Sequence, residues 1–174
     1  MTSTPKFEPW LRGPLAGIAP LLQPPAHALV MAREDIDSAV PGLTPAQLWA
    51  RPGGVASIGF HLAHVTGSTD RLLTYARGEP ISDAQRVALA AEGEIATTQP
   101  DLGAMLEAWH ETAERALQQI AATSEATLLD PRAVGRQRLP STVLGLIFHA
   151  AEHAQRHVGQ IITTVQIVRE GLKP

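Results

Sequence analysis

The chain has 174 residues, is 44% hydrophobic, carries a formal charge of −3 and contains no cysteine. This length and apolar content suit one domain with a sizeable core, and the missing cysteines exclude disulfides, thiolate metal ligands and a cysteine nucleophile. The net negative charge and scattered histidines argue against a nucleic-acid surface, which needs clustered Lys and Arg, and no apolar run approaches the roughly 20 residues of a membrane span.

The N-terminal stretch MTSTPKFEPWLRGPLAG lacks the basic region and continuous apolar core of a signal peptide, so a cytoplasmic protein is expected. Residues 1–25 carry Pro5, Pro9, Pro14, Pro20, Pro24 and Pro25 and read as an extended arm. Its Trp10, Leu11, Leu15 and Leu21 are too apolar for a freely solvated tail, so they are expected to pack on the body or across a dimer. Residues 26–174 form the domain.

From Pro25 to about Val40 the periodicity is helical, with Leu29, Ala32, Ile36 and Val40 on one side until Pro41 and Gly42 stop it. Thr44 followed by Pro45 opens a short helix through Trp49, ended by Pro52-Gly53-Gly54. Ser57 caps a second main helix that runs to about Arg77 and stops at Gly78. Ser82 or Asp83 starts a short helix, DAQRVALAAE. Pro100 and Asp101 start the third main helix, with an apolar stripe of Leu102, Met105, Leu106, Trp109, Ala113, Ala116, Leu117 and Ile120. Residues 123–140, with Pro131, Gly135 and Pro140, read as a loop, after which Ser141 caps a fourth main helix to about Glu170. Four amphipathic helices and no strand series predict an all-α protein, a four-helix bundle with a proline-rich arm.

The chemistry lies on two of these helices. In HAAEHAQRHVGQ, His149, His153 and His157 recur every four residues, which stacks them on one helix face between apolar segments. Buried imidazoles need partners, and a divalent metal is the obvious one. His149 and His157 are about 12 Å apart along the axis, too far to share an ion, so the pair is His149 with His153 or His153 with His157. A third ligand is expected from GFHLAHVTGSTDRLLTYARG, where His61 and His64 share a face continued by Ser68, Arg71 and Tyr75. Metal sites in bundles are built in this way, from facing helices.

The stretches FHLAHVTGSTDRLLTYARGE and LPSTVLGLIFHAAEHAQRHVGQI resemble the DinB/YfiT-like superfamily of four-helix-bundle metalloenzymes over most of the chain. The resemblance implies that the metal ligands are His64, His153 and His157. His61 and His149, one turn earlier on their helices, become groups behind the ligands or facing substrate. It also implies a homodimer and two chemistries: metal-dependent hydrolysis of a small molecule, or S-transfer or isomerisation with a low-molecular-weight thiol such as mycothiol or bacillithiol as cosubstrate.

Three histidines leave a position open for water or substrate, and imidazole suits zinc, nickel and iron alike; zinc or nickel is expected. Arg71 and Tyr75 are candidates for an anionic part of the substrate, and Gln160 for a hydrogen bond that fixes a ligand tautomer. Glu152 and Arg156 point to another side, and His27 and His110 read as boundary histidines. No carboxylate is in register with the histidine stripe, so no general base is evident. The competing reading is a non-catalytic, stress-associated bundle with a structural metal or bound ligand.

Overall fold

The structure, a computed structural model, describes residues 7–171; Pro5 of the arm and residues 172–174 of the expected domain lie outside them. Among the described residues the helices are α1 (Gln23–Ala39), α2 (Pro45–Trp49), α3 (Ile58–Ala76), α4 (Asp83–Glu92), α5 (Ile95–Thr98), α6 (Leu102–Ala122) and α7 (Val143–Glu170). α7 packs against both α1 and α3, and α6 closes the ring against the same two. The protein is all-α, and these four long helices form the bundle.

Local chemistry explains where the helices begin. The Ser57 hydroxyl accepts the Phe60 amide at 3.1 Å, and the Asp101 carboxylate accepts those of Gly103 and Ala104 at 2.8 and 3.2 Å. Thr44 with Gln47 and Ser82 with Gln85 form reciprocal capping boxes. α3 ends before Gly78, whose φ of +82° is a conformation that favours glycine.

The apolar stripes meet in one core. Leu29, Ala32, Ile36 and Val40 are fully buried, as are Trp109, Ala113, Ala116 and Ile120 of α6. Leu62 and Val65 of α3 and Ile147 and Ile161 of α7 complete it. The core therefore closes on aliphatic and indole surface, with the histidines at its edge.

The expected loop 123–140 holds more structure than its prolines suggested. Pro131–Val134 (β1) and Leu139–Thr142 (β2) form an antiparallel hairpin in which Arg132 faces Ser141 and Val134 faces Leu139. Proline is tolerated at the start of a strand and on an edge, where no ladder N–H is required, so Pro131 and Pro140 do not prevent pairing. The hairpin is tied to the bundle by Arg132 Nε, which donates to the Ala76 carbonyl at 2.8 Å. Because β2 absorbs Ser141, the cap of α7 is Thr142, whose hydroxyl accepts the Gly145 amide at 3.0 Å.

The arm folds onto the bundle, though of the four residues expected to pack only Leu15 does so. Pro9 and Leu22 are buried and Leu15 and Ile18 pack on the core, while Trp10, Leu11 and Leu21 are 58%, 53% and 61% exposed. Polar anchors hold it instead. The Gln23 side-chain amide donates to the carbonyls of Leu15 and Ile18 at 2.9 and 2.8 Å and accepts the Leu15 amide at 2.8 Å. His27 contacts the Gly13 carbonyl at 3.1 Å, and Arg12 forms a two-pronged ion pair with Glu34.

Candidate metal centre

The contacts between α3 and α7 show an antiparallel crossing, because the earlier histidine of α3 meets the later one of α7. His61 Nδ1 lies 2.9 Å from His157 Nδ1, and His64 Nε2 lies 3.1 Å from His153 Nε2. One nitrogen each from His64, His153 and His157 falls within 4.8 Å of the others, an arrangement able to hold a metal ion.

The donor set fits a divalent cation. Two imidazole lone pairs 3.1 Å apart repel unless a proton or a cation lies between them. Two nitrogens bound tetrahedrally to zinc at roughly 2.0–2.1 Å are about 3.3 Å apart, so the pair is already near that spacing.

The electrostatics point the same way. Burial, and then the neighbouring His64, His153 and His61, push the His157 pKa down to about 4. Burial followed by the charge of His64 lowers those of His61 and His153. At neutral pH these three rings are uncharged and carry the lone pair that metal binding requires.

Glu92 was not anticipated from the sequence. As the last residue of α4 it crosses to α3, where one carboxylate oxygen lies 2.8 Å from His64 Nδ1 and the other 2.5 Å from Arg71 Nη1. Burial raises its pKa, but the hydrogen bonds and charges of His64 and Arg71 outweigh burial and hold it below the usual carboxylate range. An ionised carboxylate only accepts hydrogen bonds, so His64 Nδ1 carries a proton, and Nε2 is the nitrogen that offers a lone pair toward His153 in the neutral ring. Carboxylates behind metal-binding imidazoles orient ligands in this way. A faint signal did exist: an acidic residue at a helix C-terminus opposes the helix dipole, which a purely structural helix tends to avoid.

The other expected residues separate. His61 is 6% exposed, directly behind His157. His149 is solvent-exposed, 3.3 Å from Glu152 and with its ring 5.5 Å from that of His153, which puts it at the rim. Arg71 does not face an open site; its guanidinium is held by Glu92. Tyr75 lines a different cavity, described below. Gln160 is exposed and, among the described residues, makes no hydrogen bond to His157, whose contact is His61. Phe60, also missed, stacks on the His64 ring at 5.7 Å with planes 6° apart. His110 pairs with Asp37 far from the cluster.

Three imidazoles gathered between two antiparallel helices and able to hold a metal ion, with an ionised carboxylate behind one of them, make this a helical bundle with a candidate metal site. The chain belongs to the DinB superfamily, which it matches over residues 28–161, from α1 through most of α7. The matched span includes every histidine of the cluster and leaves the arm outside. No curated protein matches the chain, and no helix among the described residues is long and apolar enough to cross a membrane.

Proposed function

We propose that this chain is a divalent-metal-dependent enzyme acting on a small molecule, with zinc or nickel held by His64, His153 and His157. The observation that carries the reading is the 3.1 Å approach of His64 Nε2 to His153 Nε2, with His64 Nδ1 bound to an ionised Glu92. Three protein ligands leave a coordination position open, as in catalytic rather than structural sites. When bound, the ion supplies Lewis acidity and lowers the pKa of a water or thiol presented to it.

The chain's own residues have distinct tasks. Glu92 keeps the proton of His64 on Nδ1, and Arg71 keeps Glu92 ionised. His61 orients the His157 ring, and Phe60 covers one face of His64. His149, at the exposed rim beside Glu152, is placed to meet a substrate arriving from solvent. The reaction is hydrolysis, or S-transfer or isomerisation with a low-molecular-weight thiol as cosubstrate; a chain without cysteine takes its thiol from outside. Catalysis is favoured over a structural metal because the apolar core is complete without the histidines. As part of the same reading, two copies associate through the exposed Trp10, Leu11 and Leu21 of the arm, which sedimentation equilibrium tests by mass.

The experiment is elemental analysis of untagged protein, followed by ester-hydrolysis and thiol-transfer assays of the metal-loaded chain with His153→Ala as control. Metal at one equivalent with activity that His153→Ala abolishes is the expected result. Bound metal with neither activity would favour the non-catalytic bundle, and no bound metal would remove the site.

A further inference from the structure

Apart from the histidine cluster, a cavity of about 1010 Å³ opens between the C-terminal end of α3, the α4 helix and the hairpin. Tyr75, its contribution from α3, is eleven residues beyond His64, or about 16 Å along the helix, so the cavity is separate from the metal centre.

Its charge is unlike that of the chain. In a protein of net charge −3, Arg86, Arg132, Arg136 and Arg138 line this one cavity against a single carboxylate, Glu79. Glu79 already accepts a bond from Arg77 Nε at 2.8 Å. Arg86 is paired with Asp83. Arg132 is held by the carbonyls of Ala76 and Pro131 at 2.8 and 3.0 Å, which fix its guanidinium without neutralising it. The side chains of Arg136 and Arg138, at the tip of the hairpin, make no hydrogen bond or ion pair among the described residues, and the Arg138 backbone amide closes the turn on the Gly135 carbonyl at 3.1 Å. Charged residues often guard strand edges, but that does not explain why Arg86 of α4 converges on the same space.

We propose that this cavity binds a small phosphorylated molecule. Arg132, Arg136 and Arg138 grip the phosphoryl or pyrophosphoryl group, and an apolar or ring-bearing body lies against Tyr75 and Leu89. Guanidinium forks match phosphate oxygens two at a time. The volume lies at the upper end of small-molecule sites, roughly 300–1,000 Å³, which is too large for a lone phosphate and suits a ligand with a body. Leu89 is 43% exposed on this wall, an apolar surface that such a body would cover.

The test is backbone amide NMR of the full chain titrated with inorganic pyrophosphate, adenosine diphosphate, adenosine and an oligoglutamate peptide. The expected result is saturable shifts around residues 78–90 and 131–138 with pyrophosphate, tighter binding of adenosine diphosphate, and no response to adenosine. The Arg136→Gln/Arg138→Gln double variant should fold, since neither side chain is bonded to any of the described residues, and should bind at least tenfold more weakly. Shifts confined to residues 61–64 and 149–157, an unchanged affinity in the double variant, preference for the peptide, or no saturable response would each overturn the proposal.

Discussion

Glu92 Oε2 lies 2.8 Å from His64 Nδ1, and the opposite oxygen of the same carboxylate is held by Arg71. A short helix outside the four-helix frame thus sets which nitrogen of His64 faces His153. Replacing the acceptor should expose this role. Glu92→Gln is expected to lower metal affinity by about 10–100-fold, the usual effect of removing a carboxylate behind a ligand imidazole. Competition with a chromogenic chelator measures it, and an affinity within twofold of wild type would show that Glu92 does not tune the ligand.

Gly67 offers a test with opposite signs. A Cβ at that position would collide with the Glu92 carboxylate and come within 2.6 Å of Arg71 Nη1. Both are the ends of flexible side chains and can move aside, while alanine is favoured over glycine in a helix by about 1 kcal/mol. Gly67→Ala should therefore melt at or above the wild-type temperature yet bind metal about tenfold more weakly as Glu92 leaves His64. A variant that loses stability but keeps its affinity would contradict this account.

His153 has contacts with both His64 and the ring of His157. His153→Ala should bind no metal at micromolar concentration. Its melting temperature should fall within about 4 °C of chelator-treated wild type, the shift that about 1 kcal/mol produces in a chain of this size. Thermal melts with and without chelator decide this, and a much larger loss would make the metal centre part of the folding core.

The acid response follows from the depressed pKa of His157, about 4 in the folded chain against 6.5 for the free side chain. Between those values the unfolded state binds more protons, so stability rises with pH. The contribution is complete above pH 6.5 and is lost as pH falls through that window toward 4. His153 and His61, shifted in the same direction, add to the loss, and metal should leave over the same range. Melts of chelator-treated protein from pH 7.5 to 4.5 should hold near level to about pH 6.5 and then decline; a flat profile throughout would place the imidazoles in water rather than in a desolvated cluster.

Gln23 holds the arm with three hydrogen bonds. Gln23→Ala leaves those backbone groups unpaired beside the core and should cost about 1–3 kcal/mol. Hydrogen exchange should then speed up at residues 15–18 while α6 keeps its protection. Unchanged exchange in the arm would mean that Leu15 and Leu22 suffice to hold it.

Much of this protein is written locally. The period of Leu29, Ala32, Ile36 and Val40, and that of Trp109, Ala113, Ala116 and Ile120, specifies helices and their buried faces because a helix repeats every 3.6 residues. Thr44, Ser57 and Asp101 mark where helices start, since each cap reaches only two or three residues along the chain. The four-residue steps of His149, His153 and His157 also limit which neighbours can share an ion. Tertiary structure decided what periodicity cannot encode. The antiparallel register of α3 on α7 set His64 against His153 and His61 against His157, because only the packing of the whole interface selects one register. It brought Glu92 to His64 across 28 residues, paired the two proline-bearing strands, and sent Tyr75, on the same helix as His64, into a separate arginine-lined cavity. Contacts between distant segments depend on the summed burial of many side chains, and no short stretch of sequence carries that sum.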